Sequence, residues 1–387
     1  MILMARSDYA YTPTTKEYFE DLHELMAQAA FHHDENHVWH KDKRLKKVEP
    51  GSLDPIVKQT LETPSAPYAP ASKITSQANF TPTTGVEKKV LQIRQTFGSH
   101  NFDLTTEDIK TEHALAENRV PLEIYAPRDR KGLGDLPAMV YIHGGGFFAG
   151  AVEVTRNMCK YYAEKIPAVV FSVDYRLTPE YAAPDAANDC YTAVSWVHQH
   201  AADYQVNPNQ IVVNGDSSGG NLSAVMSYFD AQRGNHYLAG QVELYPVTSL
   251  DPKLSDQHQW SWDQYHIIPS EYENISTAMK QMKDSNNLID PTYVRNMSVD
   301  DPSISPLLIP AEVAKKMVPA LVVTDEFDYL RPQGYDYAKL MAQNGVEAHY
   351  INYKGMMHAF TDKFGIYPQA QDCALEVIKW IRQRFNQ

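Results

Sequence analysis

The amino-acid sequence predicts an α/β protein whose mostly parallel β-sheet is covered by helices on both faces. From about residue 103, apolar segments that suit strands alternate with segments of helical periodicity. Strands that are apolar throughout belong to sheets buried on both sides, and alternation with helices is typical of parallel connections. The predicted strands lie within the segments 120–127, 138–146, 168–177, 210–218, 240–247, 320–328 and 346–355, and helices are predicted over 186–201, 335–345 and 369–385.

The first hundred residues differ from this alternation. Thr14 and Glu17 form a possible capping box at the start of an amphipathic helix predicted over 15–31. Residues 50–85 are rich in Pro, Ser and Thr without any period, so we expect an irregular connection there. The apolar residues at helical spacing are Tyr18, Leu22, Leu25, Met26 and Ala29.

A second departure lies between Val247 and Ala320, where about 70 residues contain no convincing strand. A helix is predicted near 270–283 within this interval. Insertions of this length in a compact fold are usually functional. The interval is also too apolar for a plain surface loop, since it contains Trp260, Trp262, Tyr265, Ile267 and Ile268.

Charge and cysteine usage exclude several classes of protein. A net charge of −13 argues against binding to nucleic acid or to an anionic membrane, because both need clustered Lys and Arg. Cys159, Cys190 and Cys373 are too few for a disulfide framework or a cysteine metal site, so we expect free thiols. No segment reads as a signal peptide or membrane span. We expect a cytoplasmic enzyme without a cofactor, and homo-oligomerisation stays open.

A histidine-rich stretch offers an alternative metal site. His33, His37 and His40 are separated by three and two residues, and two histidines four apart on a helix can bind a metal. No H-E-x-x-H motif occurs, and the basic run KDKRLKK begins directly after His40. We therefore interpret the stretch as a solvated helix end and predict no metal.

The pattern Gly-Asp-Ser-Ser-Gly at 215–219 follows an apolar strand and precedes a helical segment. In G-x-S-x-G the central serine lies on a sharp strand-to-helix turn, where flanking side chains would collide. The turn exposes the hydroxyl at the positive end of the helix, which favours a developing alkoxide. Ser217 is therefore the predicted nucleophile.

His143-Gly144-Gly145-Gly146 follows the predicted strand 138–142 and indicates an oxyanion hole. Acyl transfer requires N–H groups directed at the oxygen of the tetrahedral intermediate, and consecutive glycines leave their amides exposed. We predict donors at Gly145, Gly146 and Ser218, the residue after the nucleophile. His143 is expected to anchor the loop rather than to carry a proton.

The order Ser, acid, His of the α/β-hydrolase fold selects the remaining catalytic residues. His358 follows the last strand through a glycine and a short loop, so it is the predicted general base. Asp325, Glu326 and Asp328 all stand near the end of the preceding strand. Position along the chain does not choose among these three carboxylates.

The motifs together resemble the hormone-sensitive-lipase family of esterases over roughly residues 120–385. They are HGGG (143–146), DYRLTPEYAAP (174–184), GDSSGG (215–220), SPLL (305–308), DEFDYLRPQG (325–334) and GMMHAF (355–360). The family pattern D-x-L-R falls on Asp328-Tyr329-Leu330-Arg331, which implies that Asp328 is the acid. The chain departs from the family at Ser218, where Ala is common, and in its longer N-terminal segment.

The resemblance implies an α/β-hydrolase fold with a mostly parallel eight-stranded sheet, flanking helices and a helical cap. The expected catalytic core is 101–250 with 301–387, and the cap is built from 251–300 and the N-terminal segment 1–100. It further implies a serine carboxylesterase that hydrolyses short- to medium-chain esters of small molecules through an acyl-enzyme. The same site chemistry also suits an amidase or peptidase, and some relatives of the fold only bind ligands.

Overall fold

A computed structural model of the protein describes residues 15–63, 70, 72, 75, 78–106, 109–130, 132–250 and 261–386. The strands are β1 (His32–His33), β2 (Trp39–Lys43), β3 (Ile109–Ala116), β4 (Val120–Pro127), β5 (Leu136–Ile142), β6 (Val169–Val173), β7 (Val206–Asp216), β8 (Gly240–Leu244), β9 (Ala320–Phe327) and β10 (Ala348–Met357). The α-helices are α1 (Lys16–Met26), α2 (Pro55–Glu62), α3 (Gly85–Arg94), α4 (Val152–Lys165), α5 (Asp185–Gln199), α6 (Ser218–Arg233), α7 (Tyr272–Asn286), α8 (Ala311–Ala314), α9 (Arg331–Gln343) and α10 (Pro368–Arg384). Within these ranges, no helix combines the length and apolarity needed to cross a membrane.

All ten strands form one sheet in the order β1-β2-β10-β9-β8-β7-β5-β6-β4-β3. The pairings from β2 to β6 along this order are parallel, whereas β1, β3 and β4 pair antiparallel with their neighbours. The predicted mostly parallel sheet is therefore present, but it has ten strands rather than eight. The two additional strands, β1 and β2, come from the N-terminal segment.

Helices cover both faces of the sheet because the buried strands are apolar on both sides. Along β5, Val140 and Ile142 pack into one core cluster, and Met139 and Tyr141 pack into the other. Each of these four side chains is at most 1% exposed. Successive side chains of a strand point to opposite faces, so a strand with no polar side must be covered twice.

The N-terminal segment departs from its prediction in four places. Helix α1 ends at Met26, and the histidine-rich stretch after it is a β-hairpin rather than a helix end. Thr15 caps α1 through its side chain, while Thr14 lies outside the described residues. Helix α2 occupies part of the region expected to be irregular; Asp54 is its N-cap.

Buried ion pairs attach the hairpin to the core. Lys41 and Lys43 on β2 are at most 2% exposed, although they belong to a basic run. The Nζ of Lys43 lies 3.0 Å from Asp372 and 2.6 Å from Glu376 on α10, and Lys41 pairs with Glu376 at 2.7 Å. Burying a lysine requires such carboxylate partners, so β2 and α10 are held together.

The interval between Val247 and Ala320 contains no strand in its described part, as predicted. Its residues pack onto both core clusters: Tyr265 and Met279 join one, and Tyr293 joins the other. Trp260 of the predicted aromatic set lies outside the described residues. We call residues 261–297 the insertion.

The N-terminal segment touches the insertion through residues that follow the hairpin. The amide of Ile268 donates to the carbonyl of Gly51 at 3.0 Å. Lys58 of α2 forms an ion pair with Glu271. Gly51 has φ +84°, and a Cβ there would lie 2.7 Å from the His266 ring, so the two segments approach closely.

Candidate active site

Ser217 lies on a sharp turn between the end of β7 and the start of α6. Its φ of +55° and ψ of −116° are strained for a residue with a side chain. The neighbouring glycines make this turn possible: a Cβ on Gly215 would meet the Gly219 carbonyl oxygen at 2.3 Å. The Ser217 amide donates to the Leu244 carbonyl at 2.8 Å, which ties the turn to β8.

Two hydrogen bonds connect Ser217, His358 and Asp328 in one chain. The Nε2 of His358 lies 2.9 Å from the Oγ of Ser217. The Nδ1 of the same ring lies 2.7 Å from Oδ2 of Asp328. Oδ1 of Asp328 accepts the Leu330 amide at 2.8 Å, which fixes the carboxylate plane. The ring of Tyr245 packs edge-on against His358, with 4.8 Å between centroids.

The two other carboxylates at the end of β9 have different surroundings. Asp325 is fully buried, and neither of its oxygens has a hydrogen-bond partner among the described residues. Burial raises the pKa of Asp325 well above its ordinary value, and the nearby Asp328 charge adds to this shift. Oε2 of Glu326 accepts the Gly355 amide at 2.8 Å, so this residue joins the loop of the acid to the loop of the base.

Among the described residues, one group has the spacing of metal ligands, and it consists of Asp325, Asp328 and His358. The potential ligand atoms of these three side chains lie within 4.8 Å of one another. Two of those atoms already form the short hydrogen bond between His358 and Asp328. The hairpin histidines do not form such a group: His40 contacts Asp42 at 3.3 Å and stacks on His32. Asp328 and His358 are therefore arranged as a hydrogen-bonded acid and base.

The glycine loop after β5 has a backbone that only glycine adopts readily. Gly145 has φ +121° and Gly146 has φ +62°. A Cβ on Gly145 would lie 2.1 Å from the Ala149 carbonyl oxygen. The Gly145 carbonyl accepts the amides of Phe148 and Ala149, which closes a tight turn. Ser218 is the first residue of α6, so its amide points out of the helix N-terminus.

His143 anchors this loop. Its Nδ1 lies 2.8 Å from the Gly144 carbonyl, and its ring stacks on Tyr175 with 4.4 Å between centroids. Burial lowers the pKa of His143 to about 4, so the ring is neutral at physiological pH. Its surroundings agree with the structural role expected from the sequence.

Asp216 joins the nucleophile turn to the glycine loop, a role that the sequence analysis missed. Its Oδ1 accepts the Tyr141 hydroxyl at 2.9 Å, and the Gly144 amide also hydrogen-bonds to the carboxylate. Burial raises the pKa of Asp216 to about 6. A Cβ on Gly144 would lie 2.3 Å from Oδ2 of Asp216, so the first glycine of the triplet admits this carboxylate. The signal in the sequence for this role is the position of Asp216 directly before Ser217 in the G-x-S-x-G pattern.

Comparison with known proteins identifies the family. A family model described as an alpha/beta hydrolase fold matches residues 139–362, more than half of the chain. Carboxylesterase NlhH of Mycobacterium tuberculosis is 29% identical over 333 residues, which cover 83% of this chain and 92% of that protein. The chain belongs to the hormone-sensitive-lipase-like carboxylesterase family of the α/β-hydrolase fold.

Two further relatives support membership of this carboxylesterase family. An arylesterase of Saccharolobus solfataricus is 30% identical over 257 residues, covering 66% of this chain and 76% of that protein. A hyperthermophilic esterase from the archaeon Pyrobaculum calidifontis superposes with a TM-score of 0.62 at 28% identity, covering 86% of this chain and 98% of that chain. The family match spans every residue of the site described above.

Proposed function

We propose that this carboxylesterase-family member is a serine esterase that hydrolyses short- to medium-chain carboxylic esters of small molecules through an acyl-enzyme. The observation that carries the proposal is the continuous hydrogen-bonded chain from Ser217 through His358 to Asp328. A nucleophile, a base and an orienting acid in this order are the requirement for acyl transfer by a serine hydroxyl.

In the first half of the reaction, His358 Nε2 accepts the proton of Ser217 as Oγ attacks the ester carbonyl. The carbonyl π electrons move to oxygen, and the amides of Gly145, Gly146 and Ser218 bind the resulting oxyanion. Collapse of this intermediate breaks the ester C–O bond, and His358 donates its proton to the departing alcohol. Water then repeats the sequence on the acyl-enzyme and releases the acid. Asp328 stabilises the imidazolium throughout and is not itself protonated.

An amidase or peptidase activity would use the same groups, but the relatives named above are esterases. A non-catalytic ligand-binding role is disfavoured because Ser217, Asp328 and His358 are all retained and hydrogen-bonded. Hydrolysis of a chromogenic short-acyl ester distinguishes the enzyme from the binding protein in one assay.

We also propose that the insertion and part of the N-terminal segment form a cap that sets acyl-chain preference, over a core of 101–250 and 301–387. The contacts of Gly51 and Lys58 with residues 268–271 support this division. Residues 39–43 pair with β10, and Tyr18 and Lys43 contact α10, which supports assigning the N-terminal part of the proposed cap to residues after the hairpin. Rates on a series of acyl-chain lengths test the cap: activity that rises steadily toward long chains would contradict it.

A small-molecule ester is the expected ligand, and we propose that neither nucleic acid nor membrane is a partner. The formal charge of −13 supports this, because phosphate-rich surfaces repel such a protein. We propose a cytoplasmic location, which the three buried free cysteines support because reducing compartments preserve thiols.

Two serine variants test the mechanism. Ser217→Ala should lower kcat by about 10⁴-fold or more, because the nucleophile is gone while the fold has no reason to change. Ser218→Ala is the matched control, since the mechanism uses its amide and not its hydroxyl. Activity of the wild type should persist after treatment with a chelator. If Ser218→Ala is the slower variant, the nucleophile is assigned wrongly.

A further inference from the structure

Tyr265 of the insertion reaches the backbone of the proposed catalytic acid. Its phenolic O–H donates to the carbonyl oxygen of Asp328 at 2.7 Å. Tyr265 is only 6% exposed, so water does not compete for this contact. Burial raises the pKa of Tyr265, which keeps the phenol protonated and therefore a donor.

Arg331 packs over the ring of Tyr265. Its guanidinium lies 4.3 Å from the ring centroid, a cation–π distance. The same guanidinium donates to the carbonyl of Gln264 in the insertion, and to the carbonyl of Glu326 at 3.2 Å. Three contacts therefore join the insertion to the loop of the acid: the hydrogen bond from Tyr265 to Asp328, and the contacts of Arg331 with the Tyr265 ring and with the Gln264 carbonyl.

These contacts act on the direction of the Asp328 carboxylate. The carbonyl of Asp328 accepts both the Tyr265 hydroxyl and the Arg331 amide, the latter at 3.1 Å. Its Oδ1 is fixed by the Leu330 amide, which leaves Oδ2 directed at His358. Without the phenol, the peptide of Asp328 loses a side-chain hydrogen bond that connects it to the insertion.

We propose that Tyr265 is a positioning residue for Asp328, so the insertion supports the catalytic acid in addition to covering the site. The inference rests on the function proposed above, because it assigns to Tyr265 an effect on the acid of that triad. Small displacements of catalytic groups cost large factors in rate. Removing the hydroxyl should lower kcat about tenfold and leave KM within about twofold, because the Asp328 carbonyl is engaged by donors within the protein and the proposed mechanism assigns it no substrate contact.

The test compares Tyr265→Phe with Tyr272→Phe in the full chain. Tyr272 is also on the insertion but is 46% exposed, so it controls for loss of a phenol. We would measure kcat, KM, thermal denaturation and the downfield proton resonance of His358 Nδ1–H, which reports directly on its hydrogen bond to Asp328. In Tyr265→Phe the resonance should shift and kcat should fall, whereas Tyr272→Phe should match the wild type.

The outcomes separate this inference from the proposed function. Full activity of Ser217→Ala would refute the proposed function, whatever Tyr265→Phe does. If Ser217→Ala is inactive while Tyr265→Phe keeps both wild-type kcat and the wild-type resonance, the positioning role is wrong. A lower melting temperature with an unchanged resonance would also overturn it, since the phenol would then only stabilise the fold. Arg331→Lys, which removes the planar contact with the ring, should shift the resonance in the same direction as Tyr265→Phe.

Discussion

Replacing Asp328 by Asn should disable the site through the tautomer of His358. Both carboxylate oxygens of Asp328 accept hydrogen bonds, one from the Leu330 amide at 2.8 Å and one from His358 Nδ1 at 2.7 Å. An amide has only one oxygen. If that oxygen keeps the Leu330 bond, the NH₂ group faces Nδ1 and forces its proton onto Nε2. A protonated Nε2 in the neutral ring cannot accept the proton of Ser217.

The opposite amide orientation is also unfavourable. It would direct the NH₂ group at the Leu330 N–H in a site that is 1% exposed, leaving a buried donor without an acceptor. Such a group costs about 1–3 kcal/mol, so the tautomer-reversing orientation is preferred. We expect kcat to fall about 10⁴-fold, equivalent to about 5 kcal/mol of transition-state stabilisation.

Asp325→Asn is the matched control three residues away. The Asp325 carboxyl is buried and has no hydrogen-bond partner among the described residues, and burial raises its pKa well above the ordinary value. A carboxyl group and a carboxamide have nearly the same shape, so the substitution changes little around Asp328. We expect less than about a tenfold loss of kcat, because an unpaired buried amide affects stability more than chemistry.

The assay is steady-state hydrolysis of a chromogenic short-acyl ester by both variants, with thermal denaturation as a check of folding. The ratio of the two kcat values is the decisive quantity. An Asp325→Asn variant that is slower than Asp328→Asn would move the acid to Asp325. Equal and small effects would show that neither carboxylate orients the base.

Two further predictions concern stability. Lys43→Met should lower the free energy of unfolding by about 3–5 kcal/mol in denaturant, because it removes a buried cation that pairs with Asp372 and Glu376. Lys16→Met, at a side chain that is 90% exposed, should change this free energy by less than about 0.5 kcal/mol. Similar effects of the two substitutions would contradict the ion-pair account. Glu243 is fully buried without a hydrogen-bond partner in the described structure, and burial raises the pKa of its carboxyl well above the ordinary value. The folded state therefore holds this proton at pH values where the unfolded chain has released it, so stability is lost as pH rises above the ordinary carboxyl pKa. Glu243→Gln removes this titration, so its melting temperature relative to the wild type should increase as pH rises, and a pH-independent difference would refute this.

Much of the fold and site follows from local sequence signals. The alternation of apolar and polar residues predicts β4 at the bounds that the structure has, Val120–Pro127. Glycines at 144–146, 215 and 219 mark backbone where a Cβ would clash, so the sequence by itself predicts the nucleophile turn and the oxyanion loop. Asp54 and Pro55 are a capping residue and a first-turn proline, a signal that could have predicted α2 within the segment interpreted as irregular.

Position in the sequence does not choose among the three carboxylates at the end of β9, and the preference for Asp328 comes from the resemblance to the family. The contacts that distinguish the three side chains depend on the tertiary structure. Asp325 is inside the strand, where the pleat directs its side chain into the core, whereas Asp328 follows the strand end and faces His358. A strand boundary predicted from sequence is uncertain by about two to four residues, which spans both positions.

The N-terminal hairpin shows most clearly what only the tertiary structure decided. Its strands are short and rich in His, Lys and Asp, so their sequence has neither the length nor the apolar alternation of a strand. They exist because β10 offers a free edge and α10 provides Asp372 and Glu376 for the two buried lysines. The sequence by itself determined which segments had to be buried and where glycine was required, since those are local properties. Pairing across an edge and the neutralisation of buried charge depend on residues more than 300 positions apart, and only the folded chain brings them together.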